Sequence, residues 1–202
     1  MIRAAAGVAI AALLAACTAF QPPEPDRASL YVLEATSAAG APRPRRELVL
    51  EVSAPRARAG FDTPLMAYVE RPNALEYFAR NRWADTPARM LAPLLAQSLE
   101  RSGGFRAVVQ APGGAIAALR LDTELVRLQQ DFGVRPSRVR LTLRAQLIEV
   151  AAGRVLASEE FDESEAAPSD DPYGGVIAAN RALERLLGRL GDFCADAAGG
   201  VR

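Results

Sequence analysis

Residues 119–147 read LRLDTELVRLQQDFGVRPSRVRLTLRAQL, and this stretch decides the fold. Apolar residues alternate with charged ones from Leu119 onward, which is the period of a strand with one buried face. The alternation changes phase at Val126, which predicts a β-bulge. A turn is expected around residues 133–136, and a third strand is expected over residues 154–161. The sequence therefore predicts an antiparallel meander with one buried and one solvated face.

Five further strands are expected outside this meander. Each is a short run rich in β-branched, aromatic or leucine residues, close to glycine or proline. Two of these runs flank the four-residue segment 71–74, which favours a hairpin. The five runs are Ser29–Glu34, Glu47–Ser53, Leu65–Glu70, Leu75–Ala79 and Phe105–Gln110.

Two amphipathic segments predict helices. Asp85 or Thr86 is placed to cap the first helix, and Pro87 suits its first turn, where a backbone amide would have no partner. Over residues 87–102 the large apolar residues recur three and four apart, which predicts one buried stripe. The second helix is expected to begin at Asp171-Pro172 and to end near Cys194.

Together these elements predict an α+β fold: a largely antiparallel sheet with two main helices packed on one face. One domain is expected over residues 29–198. Between the third meander strand and the last helix, residues 159–171 carry seven acidic side chains. Their spacing does not match an EF-hand, so this segment is predicted to be a solvated loop rather than a calcium site.

Composition excludes many kinds of enzyme. The 202 residues include 24 basic and 24 acidic side chains and no histidine, and every basic residue is an arginine. Without histidine and lysine, the chain cannot build a Ser-His-Asp site, a histidine metal ligand, a P-loop or a Schiff base. A net charge of zero argues against a nucleic-acid partner. We therefore expect no catalytic residues, no metal and no cofactor.

The first 28 residues are typical of a secreted, lipid-anchored protein. Arg3 is followed by an uncharged stretch that is too short to span a bilayer, which indicates a signal peptide over residues 1–16. The signal ends in Leu14-Ala15-Ala16-Cys17, which resembles the lipobox of bacterial lipoproteins. That resemblance implies cleavage before Cys17 and lipidation of Cys17. The proline-rich residues 17–28 then form a tether.

The second cysteine is not expected to form an internal disulfide. If Cys17 carries lipid, Cys194 has no partner within the chain. Cys194 follows Leu183, Leu187 and Leu190 at helical spacing, so it is interpreted as a small buried hydrophobic residue. An intermolecular disulfide or a free thiol is the alternative.

The order of these elements resembles the ABC-type transport auxiliary lipoprotein family, which includes the paraquat-inducible outer-membrane lipoprotein. The matching segments are the lipobox followed by Tyr31-Val32-Leu33, Leu48–Val52, Met66–Val69, Leu75–Phe78, Arg82–Pro87 and Gly103–Val108.

The resemblance implies a binding protein that is anchored through its N-terminal lipid and faces the periplasm. It also implies a partner, the periplasmic subunit of a mammalian-cell-entry (MCE) type system that moves lipids or other apolar molecules between the inner and outer membranes. Thr18 follows the cysteine where aspartate would favour inner-membrane retention, so the outer membrane is expected. The alternative function is a lipoprotein that acts in envelope or barrel-protein assembly.

Six residues are candidates for contacting a partner, and each has a structural interpretation as well. Trp83, the only tryptophan, is either an interface anchor or a plug before the first helix. Tyr68 and Tyr77 are expected to face each other across the hairpin. The arginines of the second meander strand are candidates for contacting phosphates or an acidic partner. Alternatively, they face Asp122 and Glu124 on the neighbouring strand, or water. These arginines are Arg138, Arg140 and Arg144.

Overall fold

The computed structural model describes residues 28–35, 44–114 and 116–201. These described residues form nine strands and two α-helices, with single 3-10 turns at Ala59–Phe61 and Ala198–Gly200. In chain order the strands and helices are β1 Ser29–Tyr31, β2 Arg46–Val52, β3 Arg56–Ala57, β4 Leu65–Val69, β5 Glu76–Trp83, α1 Pro87–Arg101, β6 Phe105–Gln110, β7 Leu119–Asp131, β8 Arg138–Glu149, β9 Arg154–Ala166 and α2 Pro172–Ala197.

Strand β7 organises the sheet. Along one edge it pairs antiparallel with β8, which pairs in turn with β9, so the predicted meander is confirmed. The register shifts between Leu125 and Arg127, which confirms the predicted bulge at Val126. Along its other edge β7 pairs in succession with β2, β3 and β4, all parallel.

The remaining strands extend the sheet outward from β4 and from β2. Strands β4 and β5 form the predicted antiparallel hairpin, and β1 adds parallel to β5 at the edge. Strand β6 adds parallel to β2, after the chain has crossed the sheet through α1. The α+β class is confirmed. The sheet is mixed: its long antiparallel pairs lie in the meander, and its parallel pairs join shorter strands to β7 or to one another.

Both helices bury their apolar stripes against the sheet. Leu91, Leu95 and Leu99 of α1 are at most 1% exposed, as their spacing predicts. Helix α2 packs mainly on β8 and β9, and a single core cluster of buried residues runs from Leu33 to Ala198. Asp171 caps α2 by accepting a hydrogen bond from the Gly174 amide, whereas Thr86 begins α1 without a side-chain cap.

The structure corrects two of the predicted boundaries. The strand predicted over Leu75–Ala79 continues to Trp83, which is the last residue of β5. The predicted solvated loop over residues 159–171 is wrong for its first half, because β9 continues to Ala166. The physical reason is that the acidic side chains alternate between the two faces of β9 and have arginine partners on both, so the charges do not prevent a strand.

The predicted signal peptide, Cys17 and the tether as far as residue 27 lie outside the described residues. Within the described part of the chain, no helix is both long and apolar enough to cross a membrane.

Candidate functional site: partner-binding surfaces

The three candidate arginines of β8 lie on the face of the sheet that the helices leave open. Arg144 reaches Glu160 on β9 at 2.8 Å and Glu124 on β7 at 3.4 Å. Arg138 donates a hydrogen bond to the Ser164 hydroxyl of β9 at 3.0 Å. These side chains therefore link neighbouring strands across the open face. Of the two carboxylates expected as their partners, Glu124 pairs with Arg144, whereas Asp122 pairs with Arg120, and β9 supplies the other partners.

Arg140 forms the shortest of these ion pairs. Its guanidinium contacts the Asp162 carboxylate at 2.6 Å, and the Thr142 hydroxyl donates to the same carboxylate at 2.7 Å. These hydrogen bonds favour the ionised carboxylate, so the pKa of Asp162 is lowered and the pKa of Arg140 is raised. Half of the Arg140 side chain remains exposed, which leaves the guanidinium accessible from solvent.

A second set of ion pairs lies on the helix face and was not anticipated from the sequence. Glu163 of β9 is 9% exposed and accepts hydrogen bonds from Arg185 at 3.1 Å and Arg189 at 2.9 Å. Arg185 also reaches Glu165 at 2.7 Å, and Arg189 reaches Glu159 at 3.3 Å. The signal in the sequence is the spacing of Arg181, Arg185 and Arg189, which repeats every four residues and gives α2 one basic stripe.

Tyr68 belongs to a small aromatic cluster. Its ring lies 4.6 Å from the Phe78 ring and 5.9 Å from the Phe132 ring. Its hydroxyl donates to the Glu76 carboxylate at 2.9 Å, and this hydrogen bond raises the pKa of Tyr68. Tyr68 therefore connects the β4–β5 hairpin to the β7–β8 turn.

Tyr77 does not face Tyr68, so that expectation is wrong. In the hairpin register Tyr68 lies opposite Glu76, and Tyr77 lies opposite Ala67, so the two rings point to different faces of the sheet. Tyr77 is 37% exposed, and its hydroxyl donates to the carbonyl of Gly60 at 3.0 Å. A ring in this position is available to a partner.

Trp83 is part of the core. Its side chain is 4% exposed, next to Met66 and Ala179. The structure thus favours the interpretation of Trp83 as a plug over its interpretation as an interface anchor.

An open groove lies beside the β4–β5 hairpin turn and the β7–β8 turn, and the sequence analysis did not identify it. Its volume is about 700 Å³. Apolar side chains and three arginines line it together with two acidic residues, so the lining is amphipathic. The residues that characterise it are Arg58, Phe61, Glu70, Arg71, Leu75, Arg127, Asp131 and Val134. Leu75 and Val134 are 38% and 47% exposed. We refer to this feature as the turn groove.

The other chemical candidates have structural roles. Cys194 is fully buried, and desolvation raises the pKa of its thiol to about 12, which agrees with its interpretation as a small hydrophobic residue. Cys17 lies outside the described residues. Among the described residues, no group of three or more acidic or cysteine side chains is arranged to hold a metal ion. The arrangement supports binding through grooves and exposed side chains.

Comparison with known proteins decides the family. The sequence model of one protein family, the ABC-type transport auxiliary lipoprotein component, matches residues 31–190. This range begins at the last residue of β1 and ends within α2, so it contains all the elements between them. The chain belongs to the ABC-type transport auxiliary lipoprotein family. This auxiliary lipoprotein family is not a known enzyme family.

Solved structures show the same fold for this auxiliary lipoprotein. A crystal structure of a Xanthomonas campestris protein of the DUF330 family is 22% identical, with a TM-score of 0.77, over 84% of this chain and 96% of that one. A second crystal structure, of an uncharacterized protein, is 14% identical with a TM-score of 0.67, over 83% of this chain and 98% of that one. A search of curated proteins finds no significant match.

Proposed function

We propose that this auxiliary lipoprotein serves an MCE-associated ABC-type transport system, which moves lipids or other apolar molecules between the inner and outer membranes. The observation that carries the proposal is the family match over residues 31–190. Family membership supports association with an ABC-type transporter. The MCE partner and the apolar cargo are our extension of it.

The proposed location is the periplasmic face of the outer membrane. The predicted signal peptide over residues 1–16 and the lipobox-like segment Leu14-Ala15-Ala16-Cys17 support lipidation of Cys17, and Thr18 supports release to the outer membrane. The eleven tether residues from Thr18 to Ala28 reach roughly 30 Å at about 3.1 Å per residue. An anchor and a tether of this length keep the folded domain close to the membrane, where the effective concentration of a transporter subunit is high.

The turn groove and the neighbouring ring of Tyr77 are the surface that we propose for the transporter subunit. Exposed apolar side chains there offer area for burial, and Arg71 and Arg127 offer donors for acidic side chains of the partner. Arg138 and Arg140 are candidates on the open face because both remain exposed. Tyr68, Arg144 and Trp83 act mainly within the fold, through the contacts described above.

Affinity purification of the lipidated full-length chain from its native envelope tests the proposed partnership. We expect an MCE-type subunit to copurify, together with the permease and ATPase of its transporter. Cys17→Ser is the matched control, because it removes the anchor and leaves the folded domain unchanged. Copurification of barrel-assembly proteins without any transporter subunit would contradict the proposal and support a role in envelope assembly.

A further inference from the structure

Three exposed side chains lie at the edge of the sheet where the N-terminal segment enters the domain. Leu30 is 66% exposed, Val32 is 43% exposed and Tyr173 is 59% exposed. Leu30 lies within β1, an edge strand that pairs only with β5 among the described strands. Tyr173 lies in the first turn of α2, and its ring is 6.1 Å from the ring of Tyr31, the residue between Leu30 and Val32. Because adjacent strand residues project to opposite faces, Tyr173 lies on the helix side of this edge and Leu30 projects from the other side, so the exposed side chains straddle the edge of the sheet. We call Leu30, Val32 and Tyr173 the edge patch.

A basic side chain borders the edge patch. Arg82 lies opposite Leu30 in the parallel register of β1 and β5, so the two side chains project from the same face of the sheet. Arg82 is exposed. Apolar and tyrosine side chains beside arginine are the combination that binds the interface of an anionic bilayer.

Leu30 and Val32 of the edge patch lie close in sequence to the proposed lipid anchor at Cys17, which points to the membrane as the surface that the patch contacts. Ala28 directly precedes β1, and only residues 18–28 separate Cys17 from the patch. A lipid on Cys17 therefore holds this corner of the domain within roughly 30 Å of the bilayer. We propose that Leu30, Val32 and Tyr173 form a second contact with the phospholipid surface, in which Arg82 contacts the headgroup phosphates. This inference rests on the lipid anchor of the proposed function.

Such a contact gives the domain a fixed orientation on the membrane. Helix α2 starts at the edge patch and extends for 26 residues, which is about 39 Å. Its C-terminal half lies along β9, where Arg189 contacts Glu159 at 3.3 Å. Val155 precedes that contact on β9, so it lies toward the helix end that is farther from the edge patch, and it is 51% exposed. Val155 is thus a matched control position that should remain in water.

Site-specific fluorescence in reconstituted vesicles tests this orientation. The lipidated full-length chain is placed in vesicles of phosphatidylethanolamine and phosphatidylglycerol, carrying an environment-sensitive label on Leu30→Cys, on Tyr173→Cys or on Val155→Cys. Cys194 is buried, so the introduced cysteine is the reactive one once mass spectrometry has shown lipid on Cys17. We expect blue-shifted emission and quenching by a lipid-borne quencher at positions 30 and 173, and neither effect at position 155. Adding Arg82→Glu should reduce the quenching at position 30.

Other results would overturn the proposal in distinguishable ways. Labels at positions 30 and 173 that stay in water, in a protein shown to be lipidated, would reject the edge patch as a membrane contact and leave the proposed function intact. Energy transfer between labels on two copies, without quenching by lipid, would instead assign the patch to an interface between copies. If Cys17 carries no lipid, both the anchor and the orientation that depends on it are rejected.

Discussion

Gly175 of α2 lies directly against the side-chain amide of Gln130 in the interior of the protein. A Cβ atom at Gly175 would fall well inside contact distance of the Gln130 side-chain oxygen. Gln130 cannot move aside easily, because its amide nitrogen donates to the Ser137 hydroxyl at 2.9 Å and to the Asp171 carbonyl at 3.1 Å. This close approach fixes where the first turn of α2 meets β7.

Gly175→Ala should therefore destabilise the protein by about 1–3 kcal/mol, the usual cost of overpacking an interior. Gly188 is the matched control on the same helix, since nothing lies within 4 Å of a Cβ built there. Gly188→Ala should stabilise the protein by roughly 0.5–1 kcal/mol, because alanine loses less backbone entropy in a helix. Urea unfolding monitored through Trp83 measures both changes. Equal effects of the two substitutions would show that Gly175 is not constrained by Gln130.

The leucine stripe of α1 gives a second matched pair. Leu95 is fully buried and Leu94 is only partly buried, although they are adjacent in sequence. Leu95→Ala should cost about 2–5 kcal/mol, which is the range for a buried leucine, and Leu94→Ala should cost less. The free energies of unfolding of the two variants decide this. A larger loss for Leu94→Ala would place the other side of the helix against the sheet.

Protonation of Asp162 should account for part of the stability that the protein loses at low pH. The hydrogen bond from Arg140 lowers the pKa of Asp162 in the folded state. The ionised carboxylate therefore stabilises the fold fully at pH values above the ordinary aspartate pKa of about 4. This contribution is lost as the pH falls through the lowered pKa. Wild type should therefore exceed Asp162→Asn in stability near neutral pH, and the difference should shrink progressively below about pH 4. A difference in urea midpoints that is independent of pH would contradict this assignment.

The thiol of Cys194 should be unreactive in the folded protein. Burial raises the pKa of its thiol to about 12 and removes it from solvent, so both thiolate formation and access are suppressed. In the folded protein we expect no reaction of Cys194 with a maleimide at neutral pH, and full reaction in denaturant. The exposed cysteine of Leu30→Cys provides the positive control. Rapid labelling of native Cys194 would indicate that the C-terminal part of α2 opens readily.

The meander and both helices could be predicted because the spacing of apolar residues within each segment indicates a strand or a helix. The alternation around Leu141 and the phase slip at Val126 fix the faces of β7 and β8 without any knowledge of distant residues. The parallel pairing of β2 with β7 could not be predicted in this way, because it joins segments that are far apart in the chain. The sequence pattern of a short strand does not indicate which strands it pairs with in the sheet.

The acidic segment shows a different limit of sequence reasoning. Charges such as Glu159 and Glu160 suggest a solvated loop until Arg189 of α2 and Arg144 of β8 are placed opposite them. The turn groove was missed for a related reason, since Arg58, Leu75 and Val134 come from three separate segments. Patterns within one segment cannot reveal a surface that forms only when turns meet. The strand predicted over Leu75–Ala79 was ended too early because the start of a helix follows Trp83 so closely.

Photo-crosslinking in cells tests the central claim most directly. A photoreactive amino acid at Leu75 or Val134 in the turn groove, with a matched position at Val155, is introduced into the lipidated full-length chain, and the crosslinked proteins are identified by mass spectrometry. We expect an MCE-type transporter subunit to be captured from positions 75 and 134 and not from position 155. Capture of barrel-assembly proteins alone, from every position in the chain that is tried, would contradict it.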